Sequence, residues 1–294
     1  MYVRSTPTLL DLLIAWRGSI LPYIAGRAMV VAAVSVLAVL VAHRLPGDIG
    51  GGAVPFTLIG LSLSIFMSFR NSACYDRWWE ARKLWGQLLI ETRSFARQTA
   101  HLPPAPREAM LTALCGFVNG LKARLRGDDE QATVAAWLPA PAALNPTDAA
   151  LREVGRHLSA LAADGAISEV RHSLLEGRLT AMSGVQAGCE RIKSTPLPFA
   201  YSLLLHRTAW LFCLLLPFGL AGSIGWWTPA LSLIVCYTFF GLDALGDQLE
   251  DPFGREVNDL PLDAMTRLLE RELLAAAGRT DLPPAIEARD HLLM

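Results

Sequence analysis

The chain has 294 residues, 52% of them hydrophobic and 18% charged, with a formal net charge of −1. Length alone allows one or two domains, but this balance and a mean hydropathy of +0.35 argue for an integral membrane protein. A near-neutral total excludes the global basic field that would draw nucleic acid. The five cysteines (Cys74, Cys115, Cys189, Cys213, Cys236) are scattered, with no C-x-x-C pair, and support neither a disulfide framework nor a zinc site.

Residues 1–27 are amphipathic, with Leu9, Leu10, Leu12, Leu13, Ile14 and Trp16 set among Asp11 and Arg17. That pattern suits a helix lying along a membrane surface and equally an ordinary core-packing helix. No small-residue cleavage pattern follows it, so it is not read as a cleaved signal peptide. A first span follows at AMVVAAVSVLAVLVA (28–42), flanked by Arg27 and by His43-Arg44, and is short for a full crossing unless those flanking residues snorkel. RLPGDIGGGAVP is turn-rich with one basic residue and reads as an outer loop.

The second span lies in the uncharged stretch Ile49 to Phe69, whose 21 residues are close to the ~20 that cross a bilayer. Pro55 fits a first helical turn. Leu61, Ile65 and Phe69 recur every four residues, which places them along one helix face over ~12 Å. At Phe69-Arg70 the helix turns charged and tryptophan-rich without a break signal, as a membrane wall continuing into a solvated body would. From spacing alone, an apolar stripe on a membrane helix packs against other helices. A pore-lining role needs a ring of subunits, because one helix cannot enclose a path.

About 130 residues of soluble character follow. Met110, Leu114, Phe117, Leu121 and Leu125 make a helical stripe. LPAPAALNPTD interrupts the pattern, and the stretch 151–182 resumes it. From Thr208 to Leu242 no residue is charged, and GSIGWWTP divides that run into a hairpin of two spans, with Trp226-Trp227 at the interface. The preceding PLPFAYSLLLH supplies the missing length and brings His206 and Arg207 close to the membrane, where an interfacial anchor is the simplest role. The tail from Asp243 is charged and helical to about Ala277. Four spans put both termini and the long middle segment on one side. Of 26 Lys and Arg, 16 lie between Arg70 and Lys193, which assigns that side to the cytoplasm. The expected organisation is an amphipathic segment at 1–27, two spans in 28–69, a helical body at 70–204, two spans in 205–242 and a helical tail at 243–294.

Three separated motifs, FRNSACYDRWWEARKLWG, ERIKSTPLPFAYSLLLHRT and LEDPFGREVNDLPLDAM, resemble the bestrophin family, most closely its bacterial members. The likeness runs over nearly the whole chain in the family's order. It implies an all-α membrane protein with four transmembrane helices and a cytoplasmic helical domain, assembled as a cyclic homopentamer around an axial pore. For localisation it implies the bacterial inner membrane, with lipids and permeating monovalent ions as the other partners. Leu61, Ile65 and Phe69 match the three apolar neck positions, with leucine standing where isoleucine is usual. Val170, next to Glu169, matches a second, cytoplasmic aperture; a buried valine of an amphipathic helix is the alternative. Arg70 and Glu169 are candidate vestibule charges.

Animal bestrophins carry a calcium clasp directly after PFG. Here that run reads Arg255, Glu256, Val257, Asn258 and Asp259, which keeps only two acids, and calcium activation is not implied. No cofactor or metal is expected, and no nucleophile elbow, P-loop, dinucleotide fingerprint or zinc-protease motif points to an enzyme. The likeness to bacterial members favours monovalent cations (sodium or potassium), with an anion (chloride) channel of the same architecture as the alternative. A non-conducting membrane adaptor and a secondary transporter are rival readings, the latter disfavoured because no spans pair as repeats.

Overall fold

The computed structural model describes Met1 and residues 18–44, 54–138, 143–289 and 291–293. Its regular structure there is helical: α1 (Leu21–Arg44), α2 (Val54–Gln98), α3 (Pro104–Arg126), α4 (Glu130–Ala135), α5 (Pro146–Ala163), α6 (Glu169–Ser194), α7 (Phe199–Ile224), α8 (Thr228–Glu250) and α9 (Leu262–Ala276). These fall into two compact units. One takes in Ser5–Trp78 and Pro196–Asp251, the other Met1–Arg4, Trp79–Thr195 and Pro252–Met294. Most of the amphipathic N-terminal segment and most of the expected outer loop lie outside the described residues.

The first unit holds the apolar helices. Among the described residues, three helical stretches are long and apolar enough to cross a membrane: Leu21–Arg44, Val54–Gln98, which continues into the second unit from Trp79, and Phe199–Glu250. The last is divided by a 3-10 turn at Gly225–Trp227 into α7 and α8. The turn has local causes. Gly225 takes φ +52°, a backbone region that L side chains avoid, and Pro229 then sits in the first turn of α8, where its missing N–H costs nothing. α1 begins at Leu21, seven residues before the apolar run that marked it in the sequence. Its core seats Ile24 and Val31 with Leu63 and Met67 of α2, Cys213 and Leu216 of α7, and Phe240 of α8. Trp210 and Phe240 pack with ring centroids 4.8 Å apart, and Phe212 meets Phe239 edge-on at 5.3 Å.

The second unit is built around α3. A one-sided stripe was expected there, but Leu111, Ala113, Cys115, Val118 and Ala123 are buried along with Met110, Leu114, Phe117, Leu121 and Leu125. α4, α5, α6 and α9 all pack on this helix, so it is surrounded rather than amphipathic. Burial pushes the Cys115 thiol up to about 12, consistent with an inert core residue. The run 151–182, where the helical pattern resumes, is divided between two helices. Gly165, at φ +70°, closes α5 with bonds from its own N–H to Ala162 O and from Ala166 N–H to Leu161 O. Ser168 then caps α6, its hydroxyl accepting from Arg171 N–H at 3.3 Å. The charged tail likewise divides: α8 ends at Glu250, a turn carries PFG, and α9 starts at Leu262.

Candidate functional site

α2 is one uninterrupted helix of 45 residues. At 100° per residue, Leu61, Ile65 and Phe69 point within about 40° of one direction, and Leu63, Met67, Arg70 and Cys74 point to the opposite side. Burial follows that division. The first three are 60%, 46% and 63% exposed in the single chain; the other four are between 0% and 2% exposed. Two lateral faces separate them. One, with Ile59 and Phe66, borders a groove shared with Tyr201 and Leu204 of α7. The other, with Ser64, Ser68, Asn71 and Tyr75, borders a more polar groove against Thr238 and Leu242 of α8.

Arg70 departs from the role first considered for it. It is not an open vestibule charge but a buried one, 1% exposed, occupying a core position in an otherwise apolar seam. A charge is tolerated there only with partners close at hand, and α8 supplies three acids at helical spacing. Arg70 Nη1 donates to Asp243 Oδ1 at 3.4 Å and to the Asp243 carbonyl at 3.3 Å; Nη2 reaches Asp247 Oδ1 at 2.6 Å and Glu250 Oε2 at 3.4 Å. Asp243 Oδ2 also receives Arg27 Nη1 of α1 at 3.0 Å and lies 2.8 Å from His206 Nδ1 of α7. One carboxylate on α8 therefore meets a polar side chain from each of the other three apolar helices. His206 is part of this network rather than an isolated interfacial anchor. Gly246 makes the fit: a Cβ there would stand 2.9 Å from Arg70 Nη1 and 2.6 Å from Asn71 Oδ1. Sequence reasoning passed over the network, although Asp243, Asp247 and Glu250 share a face at the end of an apolar helix, where ionisable groups carry a function more often than not.

In the second unit Glu169 and Val170 are the first residues of α6, both exposed, with Val170 at 73%. That is not the buried valine of the alternative reading. Arg171, the next residue, contacts His101 Nε2. After PFG, Arg255 Nη2 binds both Asp128 oxygens at 2.7 Å, and Asp259 Oδ2 accepts from Glu256 N–H at 2.7 Å. Nearby, Asp263 holds Lys122 Nζ at 2.9 Å and Arg126 Nη1 at 2.5 Å. Burial alone would raise the Asp263 pKa, but the hydrogen bonds from Arg126 and Lys122 outweigh it and hold the carboxyl below its ordinary value.

The family profile described as Bacterial/Fungal Bestrophin protein matches residues 1–275. The chain belongs to that family. Among its relatives, a voltage-dependent anion channel-forming protein of Mesorhizobium japonicum is 44% identical over 292 residues, covering 97% of this chain and 94% of the relative. One of the same description from Escherichia coli K12 is 38% identical and covers 97% of each. The crystal structure of a bacterial bestrophin homolog from Klebsiella pneumoniae superposes with a TM-score of 0.82 at 38% identity, covering 87% of this chain and 99% of that one. This bestrophin is thus a membrane protein of a channel family and not an enzyme. The cation preference expected from the likeness finds no support in the relatives, whose names describe anion channels.

Proposed function

We propose that this bestrophin is a passive channel for small monovalent anions, formed by copies of the chain closed into a ring. The observation that carries the reading is the Leu61, Ile65 and Phe69 face. It is apolar, exposed in the single chain, and opposite the buried side of a membrane-length helix. Turned towards a common axis, three such rings would form a neck that limits flux by width and hydration rather than by binding. The lateral grooves on either side of that face would then meet neighbouring copies, the head-to-tail contact that closes a cyclic oligomer. The family likeness supports five copies, four crossings per chain with the α7–α8 hairpin as two of them, both termini in the cytoplasm, and lipid around the outer helices of a bacterial cell membrane. Val170 with Glu169 is assigned to a second, cytoplasmic aperture.

An apolar neck discriminates poorly between ion signs, so charges in the wider parts of the path set the bias. The names of the relatives favour anions. We assign no calcium to the segment after PFG, because Arg255 places a guanidinium on Asp128 and Asp259 is engaged by a backbone amide, an arrangement short of the oxygen cage calcium takes. The deciding experiment is the reversal potential of the purified protein in a planar bilayer under a NaCl gradient. A value near the chloride equilibrium supports the proposal. A value near that of sodium keeps the channel and reverses the ion sign, and silence across many reconstitutions favours a non-conducting adaptor.

A further inference from the structure

We infer that Arg70 is a positioning residue of the conduction path: by docking on the acidic end of α8 it sets the rotation at which α2 presents Leu61, Ile65 and Phe69. The inference rests on the neck reading proposed above.

Hydrophobic burial alone specifies that rotation weakly. Above Arg70, α2 is apolar on every side but the one that carries Ser64 and Ser68, with Leu58, Ile59 and Phe66 exposed as well as the neck residues. Turning the helix would exchange one set of large apolar side chains for another at little cost. Arg70 removes that degeneracy. It follows Phe69 directly in the same rigid helix and is turned 100° from it, so fixing one fixes the other. At the observed rotation its guanidinium reaches Asp243, Asp247 and Glu250 together. A turn of one residue in either direction would carry it off this face and leave a buried charge without its acids, the arrangement proteins tolerate least. A single buried polar group selecting one register among several apolar ones is a known use of such residues.

Two further features show a seat shaped for this side chain. Gly246 leaves the space that Arg70 Nη1 and Asn71 fill. Asp243, 1% exposed, is itself held by Arg27 and His206, so the acceptor does not move with α2. The docking therefore ties the angle of α2 to the three other apolar helices.

The test uses the full chain, purified as the assembled channel and recorded one channel at a time, with assembly checked by size-exclusion chromatography. Arg70→Met removes the charge; Gly246→Ala leaves it in place and crowds its seat. In each we expect the unitary conductance to change about twofold or more or to split into sublevels, because flux through an apolar constriction depends steeply on its shape. Arg70→Lys, which keeps the charge but not the fork, should lie between wild type and Arg70→Met. Phe69→Ala should shift the current by a different factor in the Arg70→Met background than in wild type. A residue that only stabilises the fold would lower the number of active channels and leave unitary current untouched. If Phe69→Ala alters the current while Arg70→Met and Gly246→Ala both conduct as wild type does, the positioning role is overturned. If Phe69→Ala itself has no effect, the neck reading fails first. Should Arg70→Met not assemble, Gly246→Ala and Arg70→Lys decide.

Discussion

His206 Nδ1 lies 2.8 Å from Asp243 Oδ2, the same oxygen that receives Arg27 from another helix at 3.0 Å. The two residues stand on the two arms of the α7–α8 hairpin, so this contact clamps the hairpin at the end away from its 3-10 turn. The ring nitrogen donates there to a carboxylate that is almost fully buried, while the imidazole itself is partly exposed. His206→Leu should destabilise the protein by about 1 kcal/mol, reduced from the value for a buried charged hydrogen bond because His206 is partly exposed. His206→Asn places an amide N–H near the Nδ1 position and should recover most of that loss. Thermal unfolding in detergent, followed by tryptophan fluorescence, reads both; equal melting temperatures for the two variants would remove the contact from the stability account.

The neck assignment makes its own forecast. Leu61→Ala, Ile65→Ala and Phe69→Ala each shorten a side chain that is exposed in the single chain, so none leaves a cavity in its core. Combined, they should raise unitary conductance severalfold while melting temperature changes little. Single-channel current identical to wild type would show that this face is not the neck.

Calcium should not govern opening. Arg255 is seated on Asp128, and its positive charge stands where a divalent ion would need another oxygen. Open probability measured from zero to millimolar free calcium should stay flat. A steep rise in the micromolar range would mean that Arg255 leaves Asp128 to admit the ion.

Asp263 gives the second unit an acid-sensitive joint between α9 and α3. Its folded pKa is depressed by Arg126 and Lys122. Its contribution is therefore fully present above the unfolded carboxylate value of roughly 3.9 and is lost as pH falls through the lower folded value. Melting temperature should drop below about pH 4 in the wild type. Asp263→Asn should start lower at neutral pH and lose less on acidification. Parallel pH curves for the two proteins would assign the acid sensitivity elsewhere.

Much of the architecture can be read without coordinates. The apolar runs, the passage of α2 from an uncharged to a charged helix, and the hairpin at GSIGWWTP all depend on composition and local backbone preference, which sequence states directly. The common face of Leu61, Ile65 and Phe69 follows from helical period alone, and three spaced motifs sufficed to place the chain in its family. Other features were read imperfectly. The run 151–182 keeps helical periodicity on both sides of Asp164-Gly165, so the left-handed turn there is hidden by the pattern around it. α3 displays a stripe because its larger side chains dominate the count, while its alanines, cysteine and glycines are what allow four helices to close around it.

What the sequence by itself determined is which residues share a helix face and which helices are apolar enough for a membrane. Only the tertiary structure decided where Arg70 goes. Its acceptors lie 173 to 180 positions away along the chain, and His206 lies 37 from Asp243. A period of 3.6 residues names the face on which a side chain stands but not the helix that faces it. A charge beside an apolar span therefore reads equally as a solvated mouth or a buried anchor until the packing of α8 against α2 brings its acids within reach.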